Sequence, residues 1–546
     1  MKLIYYFPMV FLALGFILVS CDDNEDELDN LKNQVSTLQN QLDAANTAKS
    51  TTESSLATAN STIASLRDQV SKLEGDLAAN TGAIPESVFG QTVQQFRDAL
   101  DEVAELIDNQ SEIAQRGNLE RLEDISTRFR RLVSSFNSGG GTEIELIKGI
   151  QQLVADTKTE SETITLSGIL DEDQTLVAGN IYLLDGRVTV PNGKTLTIPA
   201  GTVIKGSPGT GADASALLVA RGGKIYALGT GERPIIMTYE ADPIQGDGTY
   251  ANDANRPGAD VRGQWGGFIV LGHAPGSFKG NVKEVQIEGI PTDDINGLYG
   301  GDDPNDNSGV IEYVSIRYGG SDIGEGNEIN GLTLGSVGNQ TIINNVEVIN
   351  NKDDGIEFFG GTVNASNLMV WGQGDDALDI DQAYTGTIYN SLVVLTGASD
   401  HGLEIDGPEG DLDGGFTLTN TTIYGATGED CKSLGGEKGE LADFRSNAQG
   451  TLGKVTFKHF AVGQDFELDN EEVAANYTDG SLTFRNLFIV EVPNCPSSTL
   501  ASIFADKSET TSFGQDASDF AQIVEDGKDQ GANMNEFAWT QWHKAQ

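Results

Sequence analysis

The sequence predicts a mainly β protein, in which a parallel β-helix (a solenoid of stacked coils) follows an N-terminal α-helical coiled-coil stalk. Three observations carry this prediction. A heptad of apolar positions runs without a break from Leu28 to Leu77. From about residue 160 the chain changes to short β-rich runs separated by Gly and Asn turns. Three acidic segments there align without gaps and start at residues 353, 375 and 400, one coil apart.

The bulk composition restricts the classes of partner. The chain has 546 residues, which is too long for one ordinary core and indicates several domains or a repeat array. Its 34 basic and 82 acidic side chains give a net charge of −48. Such a charge repels nucleic acid and anionic membrane surfaces, so neither is an expected partner. Cations, Ca²⁺ above all, are the natural counter-charge, although acidity also keeps an exported protein soluble.

The N-terminus carries a processing signal rather than a structural helix. Lys2 precedes an apolar run that ends in Leu18-Val19-Ser20-Cys21. This arrangement resembles the bacterial lipoprotein signal, which implies cleavage after residue 20 and lipidation of Cys21. A plain transmembrane anchor and a signal without lipidation are the alternatives.

An acidic tether, residues 21–27, follows the signal and contains the run DDNEDE. It resembles the export tag of surface lipoproteins in the Bacteroidetes, and a solvated spacer or an inner-membrane retention signal is the alternative. The resemblance implies an outer-membrane lipoprotein at the cell surface of a Gram-negative bacterium, held in the membrane by the lipid on Cys21.

The predicted stalk, residues 28–80, has fifteen consecutive heptad core positions, with Lys49 and Thr52 as polar members in the middle. The first glycine or proline after residue 28 is Gly75, which favours one long helix and self-association as a dimer or trimer. An antiparallel hairpin folded within one chain is the alternative. Residues 90–156 read as a helical spacer with a Gly linker, and residues 160–546 as the β-helix with a C-terminal cap at 536–546.

The three aligned segments, DDGIEFF, DDALDID and DHGLEID, predict how one wall of the solenoid is built. Strand alternation places their apolar residues in the core and their acidic residues on the outer face. The residues expected to point inward are Ile356, Phe358, Leu378, Ile380, Leu403 and Ile405. Glu357, Asp379 and Glu404 should form one outward column, and Phe359, Asp381 and Asp406 the next.

Like charges stacked about 4.8 Å apart repel one another, so this wall needs protonation, a bound cation or full solvation. Oxygen ligands at this density suit Ca²⁺. The candidate Ca²⁺ ligands are Asp353, Glu357, Asp375, Asp379, Asp381, Asp400, Glu404 and Asp406. A solvated acidic face without metal and a set of catalytic carboxylates are the other two hypotheses.

The catalytic hypothesis has a specific form. The order Asp, then Asp-Asp, then His-Gly on successive coils resembles the polygalacturonase-type glycoside hydrolases. The resemblance implies that Asp354, Asp375 and Asp376 are the acids and His401 the supporting histidine.

The sequence departs from that family's pattern on the following coil. The family has an Arg and a Lys there, whereas this sequence reads GEDCKSLGG, with Lys432 alone; Lys352 and Arg445 are more distant candidates. The scarcity of basic residues argues against acidic glycans as ligands.

A broader resemblance covers nearly all of 160–546. The segments GKTLTIPAGTVIKG, QWGGFIVLGHAP and NKDDGIEFFGG are similar to a Bacteroidetes and Leptospira family of outer-envelope lipoproteins. This resemblance implies a right-handed parallel β-helix and supplies no known reaction.

The sequence therefore predicts a surface lipoprotein that binds, adheres or supports the envelope. Its partner would be a glycan or a surface protein, with Phe359 and Trp371 as candidate ligand-stacking residues and Ca²⁺ as a candidate cofactor. A tethered polysaccharide hydrolase or lyase is the alternative, so enzymatic activity is left open. Cys431 and Cys495 form either a disulfide or two free thiols.

Overall fold

We describe the protein from a computed structural model. The described residues are 25–78, 84–109, 112–158, 161–324, 327–436 and 439–545. The predicted signal and the lipidated Cys21 lie outside these residues. No helix among them combines the length and the apolar character that crossing a bilayer requires.

Helices form the N-terminal part of the chain and recur in short pieces near its end. Their bounds are α1 Glu25–Ala78, α2 Glu86–Asn109, α3 Glu112–Asn137, α4 Glu143–Thr157, α5 Glu471–Asp479, α6 Leu500–Ile503, α7 Phe513–Asp516 and α8 Gln541–Lys544. The chain divides into two compact units, one of residues up to 68 with 102–124 and one of 69–101 with 125 onwards.

The heptad face of α1 changes its surroundings along the helix. The core positions from Ala59 to Leu73 are at most 3% exposed, whereas Val35 and Leu38 are 48% and 58% exposed. Within the first unit, Ala59 lines the same cavity as Leu122 of α3. The chain itself therefore covers the later half of the heptad face, and the coiled coil between chains stays a prediction.

Helices α2 and α4 pack on the solenoid within the second unit. Val88 and Ile147 join a buried cluster with Tyr226, Leu228 and Val310. A capping box fixes the start of α4, because the Thr142 hydroxyl accepts a hydrogen bond from the Glu145 N–H while the Glu145 carboxylate accepts one from the Thr142 N–H.

Twenty-nine strands occur in the described residues, and twenty-five of them form one sheet in which the strands pair in parallel. They are β1 Thr163–Ile169, β2 Gln174–Thr175, β3 Ile181–Val190, β4 Thr195–Pro199, β5 Val203–Gly206, β6 Ala216–Val219, β7 Lys224–Leu228, β8 Ile235–Tyr239, β9 Phe268–Leu271, β10 Val285–Gln286, β11 Leu298–Tyr299, β12 Gly309–Arg317, β13 Asp322–Gly324, β14 Asn327–Glu328, β15 Leu332–Gly335, β16 Ile342–Ile349, β17 Ile356–Phe359, β18 Asn364–Trp371, β19 Leu378–Asp381, β20 Thr387–Tyr389, β21 Leu392–Val394, β22 Leu403–Asp406, β23 Phe416–Tyr424, β24 Ala442–Arg445, β25 Gly450–Lys458, β26 Phe466–Leu468, β27 Leu482–Val490, β28 Phe504–Asp506 and β29 Ala521–Ile523. The remaining four form the antiparallel pairs β10–β11 and β13–β14.

The pairing pattern is that of a parallel β-helix, as predicted; its handedness stays a prediction. One stack of short strands runs β9, β15, β17, β19, β22, β24, β26 and β28, each paired with the next. A second stack contains the longer strands β12, β16, β18, β23, β25 and β27. Each coil thus adds one rung to each stack and buries its inward side chains against the coils before and after it.

Asparagines mark a corner of the coils. Asn345, Asn367, Asn420 and Asn486 occupy equivalent positions in four of the long strands, with φ between 51° and 58°, and Lys454 takes this position in β25. Asn tolerates this left-handed conformation better than other residues with a Cβ. Two asparagine side chains at this corner are hydrogen-bonded to each other: Asn390 Nδ2 donates to Asn367 Oδ1 at 2.5 Å.

The C-terminal segment does not cap the last coil, contrary to the sequence prediction. It runs back along the solenoid: the Asn533 N–H donates to Asn390 Oδ1, and the Trp542 N–H donates to Glu347 Oε1. Phe537 is buried against Met369 and Leu392. This return is possible because the segment satisfies its backbone groups on side chains of several coils.

Aromatic residues fill the core at the last coils instead. The Phe466 ring lies 5.0 Å from the Phe504 ring, and Phe513 and Phe520 pack close by.

Candidate metal centre and acidic face

The three acidic segments stack in the predicted register. Glu357 lies opposite Asp379, and Asp379 opposite Glu404, in neighbouring parallel strands. The six apolar residues predicted to point inward are at most 1% exposed. The alternation of side chains along each strand therefore places the carboxylates on the outer face, as expected.

The column of carboxylates is longer than the sequence indicated. Asp443 pairs with Glu404, and Glu467 pairs with Asp443, on the next two coils. We call Glu357, Asp379, Glu404, Asp443 and Glu467 the carboxylate column. The sequence signal was the alternating segments ADFR and FEL, which the long connection between β23 and β24 separates from the first three rungs.

The same connection explains why the sequence analysis wrongly placed Arg445 far from the acidic face. The coil after Leu403 begins at Ala442 rather than in GEDCKSLGG, so Arg445 lies on this face and is not distant. Arg445 Nε and Nη2 donate to Asp406 at 3.1 and 3.2 Å, and the guanidinium also pairs with Glu404. Lys432 is 80% exposed and faces Asp430 at 4.0 Å.

Sequence reasoning also missed a second cation. Lys507 follows β28 directly, and its Nζ lies 3.0 Å from Asp465 Oδ2 and also pairs with Glu467. Of the later members of the carboxylate column, Glu404 and Glu467 are thus each paired with a cation of the chain itself.

A second line of polar groups stands at the turns before these strands. The Asp376 N–H donates to Asp354 Oδ1 at 2.9 Å, and the His401 N–H donates to Asp376 Oδ1 at 2.7 Å. The His401 ring approaches the same oxygen through Nδ1 at 2.8 Å, while Nε2 lies 3.9 Å from Glu440. Asp354, Asp376 and His401, which the polygalacturonase resemblance places on successive coils, therefore form a row, with Glu440 as an added member.

The segment between β9 and β12 lies over the first coils of the face. Asn330 Nδ2 donates to Glu288 of that segment at 3.4 Å, and the Tyr299 hydroxyl donates to Gln382 at 2.9 Å. Its presence explains why Glu357 and Asp379 are only 6% and 7% exposed.

The two predicted ligand-stacking residues are not open aromatic platforms. Phe359 does not lie outward on the surface: it is 8% exposed and packs with Phe278 and Tyr299, the Tyr299 ring lying 6.0 Å away. Trp371 is half-buried and packs against the C-terminal segment. The covering segments come from distant parts of the sequence, which is why strand alternation alone did not reveal them.

Three buried carboxylates at the start of the face stand apart from the rest. Asp354, Glu357 and Asp379, which we call the buried triad, each offer an oxygen within 4.8 Å of the others. Glu357 accepts from Asn330 Nδ2, whereas Asp379 Oδ1 is buried without a hydrogen-bond partner. No Lys, Arg or His of the described residues forms an ion pair with this triad.

Burial and mutual repulsion change the protonation of this face. Burial raises the pKa values of Asp354, Glu357 and Asp379 well above the usual range, and neighbouring carboxylates add to the effect. Burial, with the charge of Asp406, also raises the pKa of Asp381 to about 7. Burial by itself would lower the pKa of His401, but the hydrogen bond and charge of Asp376 raise it to about 9.

The buried triad is the set best suited to a divalent cation. It is all-oxygen, as Ca²⁺ prefers, and no Lys, Arg or His of the described residues pairs with it. Three other groups are as compact: Asp353 with Asp354 and Asp375, Asp376 with His401 and Glu404, and Glu440 with Asp465 and Glu467. His401 and Lys507 already compensate the last two.

Of the eight predicted Ca²⁺ ligands, only Glu357 and Asp379 belong to the triad. They are joined there by Asp354, which the polygalacturonase resemblance had assigned to catalysis. Asp381, Asp400 and Asp406 belong to none of the compact groups.

Fold and site together define a parallel β-helix protein with an acidic face built on successive coils. Residues 168–543 match the family described as the pectate-lyase like beta helix domain, and the chain belongs to this family. The match does not extend to a particular lipoprotein family. The chain matches no curated protein and no solved structure.

Proposed function

We propose that this protein is an exported, lipid-anchored binding module that holds Ca²⁺ in the buried triad and presents the adjoining acidic face to a glycan or surface protein. One observation carries the proposal. On the later coils Arg445 pairs with Glu404 and Lys507 pairs with Glu467, whereas no Lys, Arg or His of the described residues pairs with any of the three carboxylates of the triad. Asp379 Oδ1, like Asp443 Oδ1 in the same column, is buried without a hydrogen-bond partner.

The dimensions of the triad agree with this ion. Ca²⁺ binds oxygen at about 2.3–2.6 Å, so two ligands on opposite sides of it stand about 4.6–5.2 Å apart. The triad oxygens lie within 4.8 Å of one another. Two of the carboxylates are already oriented, Asp354 by the Asp376 N–H and Glu357 by Asn330. Such second contacts hold ligands in place for a metal.

Thermal unfolding of the full-length protein in EDTA and in millimolar Ca²⁺ tests the metal site. At 100 times its dissociation constant, Ca²⁺ should stabilise the folded state by about 2.7 kcal/mol. Asp379→Asn should abolish this gain. Asp443→Asn is the matched control, because Asp443 is equally buried at 7% and lies in the same column outside the triad. An equal gain in stability from Ca²⁺ in wild type and in Asp379→Asn would rule out the triad as the Ca²⁺ site.

The cellular location rests on the sequence. The apolar run, Cys21 and the acidic tether favour lipidation and export to the cell surface. Mass spectrometry of the protein from a Gram-negative host should show acyl chains on an N-terminal Cys21, and Cys21→Ser should release the protein from membranes. An intact N-terminus on the mature protein would contradict this part of the proposal.

A polysaccharide hydrolase or lyase is the second candidate, favoured by the family match and by the pairing of Asp376 with His401 at 2.8 Å. Carboxyl groups with pKa values near 7, such as Asp381, suit general acid–base chemistry. A cleavage screen over neutral and acidic polysaccharides, with Asp376→Asn as the inactive control, separates the two candidates. Product release by wild type alone would make the protein an enzyme.

A further inference from the structure

We infer that the first half of α1, residues 25–53, is an interaction surface for a second copy of this chain, with which it forms a parallel coiled coil. This inference is independent of the calcium site. It begins from the contrast along one heptad face: Ala59, Ile63, Leu66, Val70 and Leu73 are buried by the chain itself, whereas Val35 and Leu38 are about half exposed.

The exposed half of α1 is a poor helix by its own composition. Ten of the twenty-nine residues 25–53 are Ser, Thr or Asn. Each of these costs a helix roughly 0.5 kcal/mol relative to Ala, or roughly 5 kcal/mol together. Four threonines there, Thr37, Thr47, Thr51 and Thr52, turn their hydroxyls back to carbonyls four residues earlier. Such a segment is not expected to stay helical in water without a packing partner.

The periodicity identifies the partner. Residues Leu28, Leu31, Val35, Leu38, Leu42 and Ala45 alternate at spacings of three and four, as the seam of a coiled coil does. The same register continues without a shift into the half that the chain buries. A narrow apolar seam of this kind, flanked mainly by uncharged polar residues, matches another copy of itself better than a wide groove or a lipid surface.

Parallel alignment follows from the polar members of the seam. Lys49 and Thr52 stand in consecutive core positions, and Lys49 is within 3.8 Å of Glu53 on its own helix. In a parallel pair these residues meet their own counterparts at one level, close to the point where the chain begins to cover the seam. In an antiparallel pair they would oppose Leu28 and Leu31 and bury a charge against apolar side chains.

The test uses full-length protein in solution and two matched variants. Val35→Asp with Leu38→Asp places two charges in the seam, and Ser36→Asp with Asn40→Asp places the same two charges on the outer face of the helix. Sedimentation equilibrium should give a dimer or trimer for wild type and the outer-face variant, and a monomer for the seam variant. Circular dichroism should show that the seam variant alone loses helix.

Orientation has its own readout. Leu38→Cys should form a disulfide between copies under mild oxidation, and Asn40→Cys should not, because only in-register parallel seams bring residue 38 beside itself. A monomeric wild type at tens of micromolar, or an oligomer that the seam variant leaves unchanged, would overturn the inference.

Discussion

Arg445 lies across Asp406 with two nearly parallel hydrogen bonds, from Nε to Oδ1 at 3.1 Å and from Nη2 to Oδ2 at 3.2 Å. The two residues stand opposite each other in neighbouring parallel strands, 39 residues apart in the sequence. The guanidinium also reaches Glu404 of the carboxylate column. Arg445 thus neutralises carboxylates on this coil, a role that our proposed function assigns to Ca²⁺ at the buried triad.

Replacing Arg445 should therefore make the stability of this coil depend on an added cation. Arg445→Gln removes the cationic partner of Asp406 and leaves Glu404 with His401 alone. It should lower the free energy of unfolding in EDTA by about 1 kcal/mol, because the guanidinium is partly solvated. The added stability from millimolar Ca²⁺ should grow correspondingly. Arg485→Gln, at an exposed position of β27, is the control and should unfold like wild type in both buffers. Identical curves for the two variants would show that Arg445 is not a counter-charge.

Stability without metal should decrease as the pH rises. Burial and neighbouring charges raise the pKa values of Asp381, Glu440 and Asp443 to about 7 in the folded protein. Between their ordinary values near 4 and about 7, the folded state therefore holds more protons than the unfolded chain. The unfolding midpoint in EDTA should fall from pH 5 to pH 7.5. A midpoint that rises over this range would contradict the assignment.

His401 should extend this decrease to higher pH. Its pKa rises from the usual 6.5 to about 9 in the folded state, so its ion pair with Asp376 stabilises the protein below pH 6.5 and is lost toward pH 9. Thermal unfolding between pH 6.5 and pH 9 should show a further fall in the midpoint. His401→Gln should flatten that part of the profile, and His543→Gln, near the C-terminus, should leave it unchanged.

The disulfide should contribute strongly to stability. Cys431 and Cys495 are bonded across 64 residues, which decides between the two alternatives that the sequence left open. The chain-entropy estimate for a loop of that length is about 4 kcal/mol. Adding a reductant should lower the free energy of unfolding of wild type, measured with guanidinium, by that amount. The Cys431→Ser, Cys495→Ser double variant should start at the reduced midpoint and ignore the reductant.

The returning C-terminal segment should be part of the cooperative fold. Phe537 is fully buried against Met369 and Leu392, so Phe537→Ala should cost about 3–5 kcal/mol. Met534→Ala, whose side chain is 39% exposed, should cost little. Denaturant unfolding compares the two variants. Equal stabilities would mean that the segment lies loosely on the coils.

Local sequence determined the rungs. Strand alternation fixed which of Ile356, Glu357, Leu378 and Asp379 point inward, and spacings of 22 and 25 residues brought three coils into register. Side-chain direction depends only on the two-residue alternation along a strand, and the register between coils depends only on coils of similar length. Both can be read from neighbouring residues, and both were predicted correctly.

The tertiary structure decided how the acidic face is covered and compensated. A loop that holds Cys431 delays the next rung, so the position of Arg445 follows from an insertion length that no local pattern specifies. Phe359 is covered by Tyr299, sixty residues earlier in the chain. The sequence alone established a stack of coils with carboxylates on its outer face. Which carboxylates are left without a counter-charge depends on contacts between distant segments, and only the folded chain brings these segments together.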